Sequence, residues 1–453
     1  MFTFLKKVFK KDDLRERILF TLGVLFIYRL GSAITIPAIN HEALTGTAGT
    51  FGILSIMNML GGGSLERFSL FSLGVSPYIT ASIIIELLSM DVIPVLTEWT
   101  DEGETGRKKK DKCTRYLTVA LGALQAGSLT YAFEKSYQIL TNATIWTYLY
   151  IIIIMVAGTM FAIWLGDQIS VKGIGNGISL MIFTGIVSNF PTVFINVFQI
   201  LVTNGSNIPL GILKYIFFCI LFLLIAVFVI FLDGSMRRFK VIYASNSNAM
   251  MNTKDEQYFP IKVNSAGVIP VIFASSILAT PLTIASMVGT NSVTKWITRI
   301  CTYNNPTSYP IGFVLYLVLI VLFSFFYSNL QVDANKVNNQ LADNHGHIPG
   351  YRIWKRDLKN PNHQKLEPSD TEILIKKTLN RLTVIGALFL LIVAIIPILI
   401  PVLWPEVGST SVSLYGTGLI IVVGVALETV NQIRSKIERK RRETLSHSRL
   451  IRR

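Results

Sequence analysis

Residues Lys172–Ile186 read KGIGNGISLMIFTGI, with glycines alternating at Gly173, Gly175 and Gly177 before the chain turns apolar. Alternating glycines ahead of a helix can present bare backbone N–H groups to a phosphate. The context opposes that chemistry. The stretch follows a long apolar run rather than a strand, no Lys-Ser/Thr comes after it, and the spacing is not that of a dinucleotide fingerprint. A tight turn between two helices accounts for the glycines better. Other reactive residue types are sparse. Cys113, Cys219 and Cys301 show neither metal-ligand spacing nor a disulfide framework. His345 and His347 lie close together in a polar stretch, a pattern commoner in solvated turns than in metal sites. The chain contains no zincin motif, no Gly-x-Ser-x-Gly elbow and no Walker loop. No cofactor is expected.

The elements that carry these residues must be membrane helices. The chain has 453 residues, 51% of them hydrophobic and only 15% charged, and its mean hydropathy is +0.51. A soluble fold of this length could not bury so much apolar surface. The apolar residues come in ten blocks, at about 18–38, 73–90, 114–133, 146–166, 176–200, 211–232, 264–284, 308–328, 382–403 and 412–432. Each is near the roughly 20 residues that cross a bilayer as a helix. Continuous apolar runs, without period-two alternation, select helices over a barrel. The first block is too long for a cleavable signal and lacks a small-residue cleavage site.

Lys and Arg then set the orientation. They crowd the N-terminal tail (Lys6, Lys7, Lys10, Lys11, Arg15, Arg17), the second loop (Arg107–Lys110, Lys112), the sixth (Arg237, Arg238, Lys240), the eighth (Arg352, Lys355, Arg356, Lys359, Lys365) and the C-terminal tail (Arg439–Arg442, Arg452, Arg453). The odd-numbered loops carry little beyond Arg67, Lys135, Lys295 and Arg299. Both termini are therefore expected in the cytosol of a multi-pass plasma-membrane protein. Most of the net charge of +15 is what such orientation requires. Loops 234–263 and 329–378 exceed that requirement, and loops of this length tend to be functional or disordered. Their basic character suits an acidic partner, ribosomal RNA included.

One apolar stretch is too short to span. FGILSIMNML, Phe51–Leu60, lies between the first two spans and is followed by Gly61, Gly62 and Gly63. A run of this length suggests a helix on the outer surface, or a re-entrant one folded into a cavity with glycines as a hinge.

Several long stretches together resemble the SecY family, the channel subunits of the bacterial Sec protein translocase. They are GGGSLERFSLFSLGVSPYITASIIIELL (61–88), KGIGNGISLMIFTGI (172–186), FPIKVNSAGVIPVIFASSIL (259–278), HIPGYR (347–352) and LNRLTVIGALFL (379–390). The resemblance implies an all-α polytopic fold of ten transmembrane helices in two inverted pseudo-symmetric halves around a central pore. The halves are expected at 18–205 and 206–433, between a cytosolic tail at 1–17 and a basic cytosolic tail at 434–453. By the same resemblance the pore ring falls on Val75, Ile79, Ile178, Ile182, Ile272 and Ile421. A plug is implied at about 51–63, with Phe51, Ile53, Leu54, Ile56, Met57, Leu60, Gly61 and Gly62. A lateral gate between the second and seventh spans would include Ser76, Thr80, Ile83, Pro270 and Ser275, with Pro270 easing a bend.

Docking of the motor ATPase SecA or the ribosome is implied at Arg237, Arg238, Lys240, Arg352, Lys355 and Arg356. Subunits SecE and SecG are implied by the family alone. The function implied is conduction of unfolded secretory polypeptides, with sideways release of transmembrane segments into the lipid bilayer, and no enzymatic activity. Energy would come from SecA, the ribosome or the membrane potential. The chain departs from the family pattern after Arg352, where IWKRDLKNPNHQKLEPSD (353–370) is long and basic. A secondary transporter is the rival class, but it would place ionisable groups at the midplane. Here only Arg29, within the first span, and Glu86 and Glu428, near span ends, come close.

Overall fold

The computed structural model describes residues 12–40, 61–65, 67–90, 92–203, 208–243, 258–288, 291–303, 310–352, 369–403 and 418–437. Each of the ten expected blocks falls on one helix. These are α1 (Asp12–Gly31), α2 (Ser76–Leu88), α4 (Glu104–Tyr137), α5 (Ile145–Lys172), α6 (Gly177–Phe198), α7 (Ile208–Gly234), α8 (Ile269–Val288), α10 (Pro310–Gln331), α12 (Asp370–Leu403) and α13 (Gly418–Ile437). Three shorter helices join them: α3 (Pro94–Asp101), α9 (Ser292–Cys301) and α11 (Ala334–Asp343). Among the described residues, six helices are long and apolar enough to cross a membrane, and two more apolar ones are shorter, Ser76–Leu88 and Ile269–Leu282.

Span edges differ from the expectation where charge and apolarity share one helix. Helix α4 starts ten residues before its apolar block, and α12 starts twelve before its own. Helix propagation does not stop at a change of polarity, so both continue past the bilayer edge. Helix α2, by contrast, begins only at Ser76. The chain before it is irregular yet buried, with Leu65, Phe68, Phe71 and Leu73 almost wholly enclosed. Such backbone survives at membrane depth only if protein satisfies it. Serines do so here: Ser64 Oγ donates to the Phe71 carbonyl at 2.8 Å and Ser72 Oγ to the Ser69 carbonyl at 2.5 Å.

One apolar core runs through the bundle. It joins Val24 and Tyr28 of α1, Ile79 and Ile83 of α2, Ile182 and Ile186 of α6, Ile272 and Leu278 of α8, Ile320 of α10, Leu390 of α12 and Ile421 of α13. Helices α6 and α7 are joined by interdigitated rings. Phe190 meets Phe222 edge-on at 5.5 Å, Phe194 meets Phe218 and Phe222, and Phe198 meets Tyr215.

The two long basic loops fold together. Strand β1 (Met236–Lys240) pairs antiparallel with β3 (Tyr258–Lys262), Arg238 opposite Pro260. Strand β2 (Ile242–Tyr243) pairs with β4 (Gly346–His347), Ile242 opposite His347. Beneath them Val241, Leu341 and Ile348 form a small core, and Ile261 packs on Ile375 and Leu379 of α12. The described parts of loops 234–263 and 329–378 are thus one ordered platform on the extended start of α12.

Two expectations are corrected. Pro270 does not bend a gate helix. It is the second residue of α8, where the missing N–H would have no intrahelical partner anyway. The proline inside that helix is Pro281. The glycines after the short apolar segment do not form an open hinge. Gly61 and Gly62 are buried, and Gly62 has φ +72° with its Cα face 2.9 Å, measured from where a Cβ would stand, from Gly185 Cα. Left-handed backbone and close approach require glycine there.

Candidate functional site

The glycine turn gives the first geometry. Gly173 N–H donates to the Ile169 carbonyl at 2.8 Å, and Ile174 N–H to Thr21 Oγ1 at 3.1 Å. Gly175 N–H donates to Gln432 Oε1 at 3.1 Å and Gly177 N–H to Ser170 Oγ at 2.9 Å. Ile178 N–H and Ser179 N–H go to the N-cap side chain of Asn176. The donors a phosphate would need are engaged with protein. The turn instead ties α1, α5, α6 and α13 together at the basic face and fixes where α6 begins. Replacing Asn176 with Ala removes the cap and is expected to lower stability by about 1 kcal/mol, measured as a lower Tm of the purified protein.

Above this turn opens a cavity of about 560 Å³. Its lining includes Glu86, Arg107, Lys110, Asp111, Trp99 and Asn176 together with Ile79, Ile178, Ile182 and Ile272. Seven residues separate Glu86 from Ile79 on α2, about 10 Å along the axis. Along α2 the lining therefore passes from charged to aliphatic side chains. Val75, Ile79, Ile182, Ile272 and Ile421 are all buried in the central core, and Ile178 packs against it. All six residues that the family resemblance nominated belong to or pack on this bundle-wide core, and four of them, Ile79, Ile178, Ile182 and Ile272, line the cavity. Branched apolar groups at a constriction exclude water and make no directional bonds, so they can close by dewetting without selecting a sequence.

Beside the cavity, α8 packs against α2 and α4 as well as α10. Ser76, Thr80, Ile83, Pro270 and Ser275 are buried along or near this seam. Thr80 Oγ1 donates to the Ser76 carbonyl at 3.2 Å, and Ser275 Oγ to the Ile272 carbonyl at 2.9 Å. Both hydroxyls are satisfied within their own helices, which leaves their part of the contact to apolar packing.

Phe51, Ile53, Leu54, Ile56, Met57 and Leu60 lie outside the described residues, as do Lys355 and Arg356. Gly61 and Gly62 mark where the short segment rejoins the bundle, and Arg29 Nη1 donates to the Gly62 carbonyl at 2.7 Å. The sequence showed Arg29 as a lone cation in an apolar span beside a triple glycine downstream, but not their contact. Replacing Arg29 with Met is expected to lower stability by about 2 kcal/mol through loss of this charge-assisted bond, read by thermal unfolding in detergent. On the platform, Arg237, Arg238 and Lys240 are exposed on β1. Arg352 is exposed as well, and its carbonyl accepts the Thr371 N–H at 3.1 Å. Sequence reading missed that β2 and β4 join these two basic groups, because strands of two residues carry no period. Among the described residues, no group of three His, Cys, Asp or Glu is placed to hold a metal ion.

Ten helices on the ten apolar blocks, six of them long and apolar enough to cross a membrane among the described residues, define a polytopic membrane protein. The SecY family model matches residues 69–430. The chain is 38% identical over 444 residues to the protein translocase subunit SecY of Bacillus subtilis (strain 168), covering 97% of this chain and 98% of that one. The chain belongs to the SecY family. A solved structure described as a protein conducting channel superposes with a TM-score of 0.63 at 19% identity, covering 93% of this chain and 92% of that one. Sec61 in the canine ribosome–channel complex from the endoplasmic reticulum gives 0.60 at 19% identity, with the same coverage. At these identities the likeness speaks to the fold.

Proposed function

We propose that this chain is the protein-conducting channel of a Sec translocon, not an enzyme, and that Val75, Ile79, Ile178, Ile182, Ile272 and Ile421 form its pore ring. The observation that supports the reading is one cavity lined by both charged side chains and Ile79, Ile178, Ile182 and Ile272. The basic face is the cytosolic one, with both termini there. An unfolded secretory polypeptide enters the cavity, and the ring fits around it without reading its sequence. Transmembrane segments leave sideways between α2 and α8. The halves at 18–205 and 206–433 carry the two sides of that opening, and the segment around 51–63 is the plug. Arg237, Arg238, Lys240 and Arg352 offer guanidinium and ammonium donors to the phosphates of ribosomal RNA or to carboxylates of SecA. SecE and SecG complete the channel.

The test is translocation of a secretory precursor into proteoliposomes holding the chain with SecE and SecG, driven by SecA and ATP. A cysteine at position 182 is expected to cross-link to a precursor stalled in transit. A Phe51–Leu60 deletion is expected to pass precursors with defective signals. An assembled, SecA-binding complex that moves no precursor would remove the translocase reading.

A further inference from the structure

Helix α9 joins the end of α8 to the start of α10 on the face opposite the basic platform, and it packs against both. Its sequence, SVTKWITRIC, is strongly two-sided. One side is inside the bundle: Thr294 and Cys301 are buried, and Ile297 and Ile300 pack on the central core. Burial pushes the Cys301 thiol up from its ordinary value, as an inward-facing anchor would. Thr294 Oγ1 accepts the Asn291 N–H at 2.8 Å, which fixes the start of the helix. The other side is unlike a water-facing loop. Trp296 is 62% exposed, and Val293, one turn before Ile297 at the start of the helix, is 68% exposed. Exposed Lys295 and Arg299, four apart, lie together beside Trp296, on the side away from the buried face. They are also two of the few basic residues on this face of the membrane, so orientation does not call for them.

We propose that the outer side of α9 is a contact for anionic lipid headgroups. Val293 and Trp296 sit at the boundary of headgroup and acyl chain, where indole rings favour placement. Lys295 and Arg299 take the phosphates of acidic lipids just above them. Two features select lipid as the occupant. The helix hangs between the ends of two membrane spans, which places it at the bilayer edge. Its exposed apolar residues have two cations beside them on the outward edge of the helix, the complement of an anionic interface. The contact depends on the membrane topology of the chain and not on transport.

The test uses the complete complex in proteoliposomes, with Val293→Cys carrying a spin label and Cys113→Ser, Cys219→Ser and Cys301→Ala removing other thiols. Collision with oxygen is compared with collision with a water-soluble nickel chelate. In vesicles containing phosphatidylglycerol, oxygen is expected to win severalfold over its value at an aqueous loop. K295E/R299E is expected to lose most of that gain, as are vesicles of phosphatidylcholine alone. Three outcomes overturn the proposal. One is a label that collides with nickel like an aqueous loop in every lipid. Another is a label shielded from both reagents, which would place a protein partner or a second copy on α9. The third is a depth that ignores both lipid charge and K295E/R299E. The other five tryptophans, Trp164 of α5 among them, are quenched in either protein, so the second readout is the difference: quenching by acyl-brominated lipid is expected to be smaller in W296F than in wild type, and equal quenching overturns the proposal.

Discussion

Replacing Ile182 with Asp is expected to make the closed channel leak ions. Ile182 is 2% exposed and lies where the cavity meets the central core. An unpaired carboxylate at such a site costs several kcal/mol unless water or a proton reaches it. Water can arrive from the cavity, so the side chain hydrates and carries water into the ring. The barrier to ions there is the absence of water. Each 1.4 kcal/mol removed from it raises the rate about tenfold, so conductance in planar bilayers should rise by an order of magnitude or more. Ile182→Val keeps the surface apolar and should leave conductance near wild type. A folded Ile182→Asp complex with wild-type conductance would show that the seal lies elsewhere.

The largest loss of stability is expected from Gly177→Val. A Cβ at Gly177 would stand 1.8 Å from the Gly166 carbonyl oxygen of α5. That is backbone against side chain, and neither helix can yield without moving the other. Overpacking of this kind typically costs 1–3 kcal/mol, and about 3 kcal/mol or more is expected here. The shift of α6 would also strain the Gly177 N–H bond to Ser170 Oγ. A marked fall in Tm of the detergent-solubilised complex is the expected reading. Gly23→Ala is the control: nothing lies within 4 Å of a Cβ there, and alanine is the better helix former. Equal Tm values for the two variants would contradict the packing described for the turn.

The helices were legible because lipid demands long apolar runs, and every expected block lies on a helix. Their ends were not, because α4 and α12 extend through charged sequence that hydropathy treats as loop. The glycine turn was read correctly as a turn from its context. Its hydrogen bonds to Thr21 and Gln432, more than 150 and 250 residues away in sequence, were invisible to it. The ring was the least legible part. Ile178 and Ile182 share a helix face, but so do many aliphatic pairs in any membrane span. Only resemblance singled them out, and only the cavity gives them a physical setting. Pro270 was misread because the start of α8 was placed too early, which turned an N-terminal proline into an interior one.

The β2–β4 pairing has a mechanical meaning. Two basic loops that could have been separate handles form a single lever, rooted in α7 at one end and in α12 at the other. The part of α12 that precedes its apolar block is about 18 Å long, twelve residues at the helical rise. A push on either basic loop is therefore shared by α7 and α12 instead of being taken by one of them.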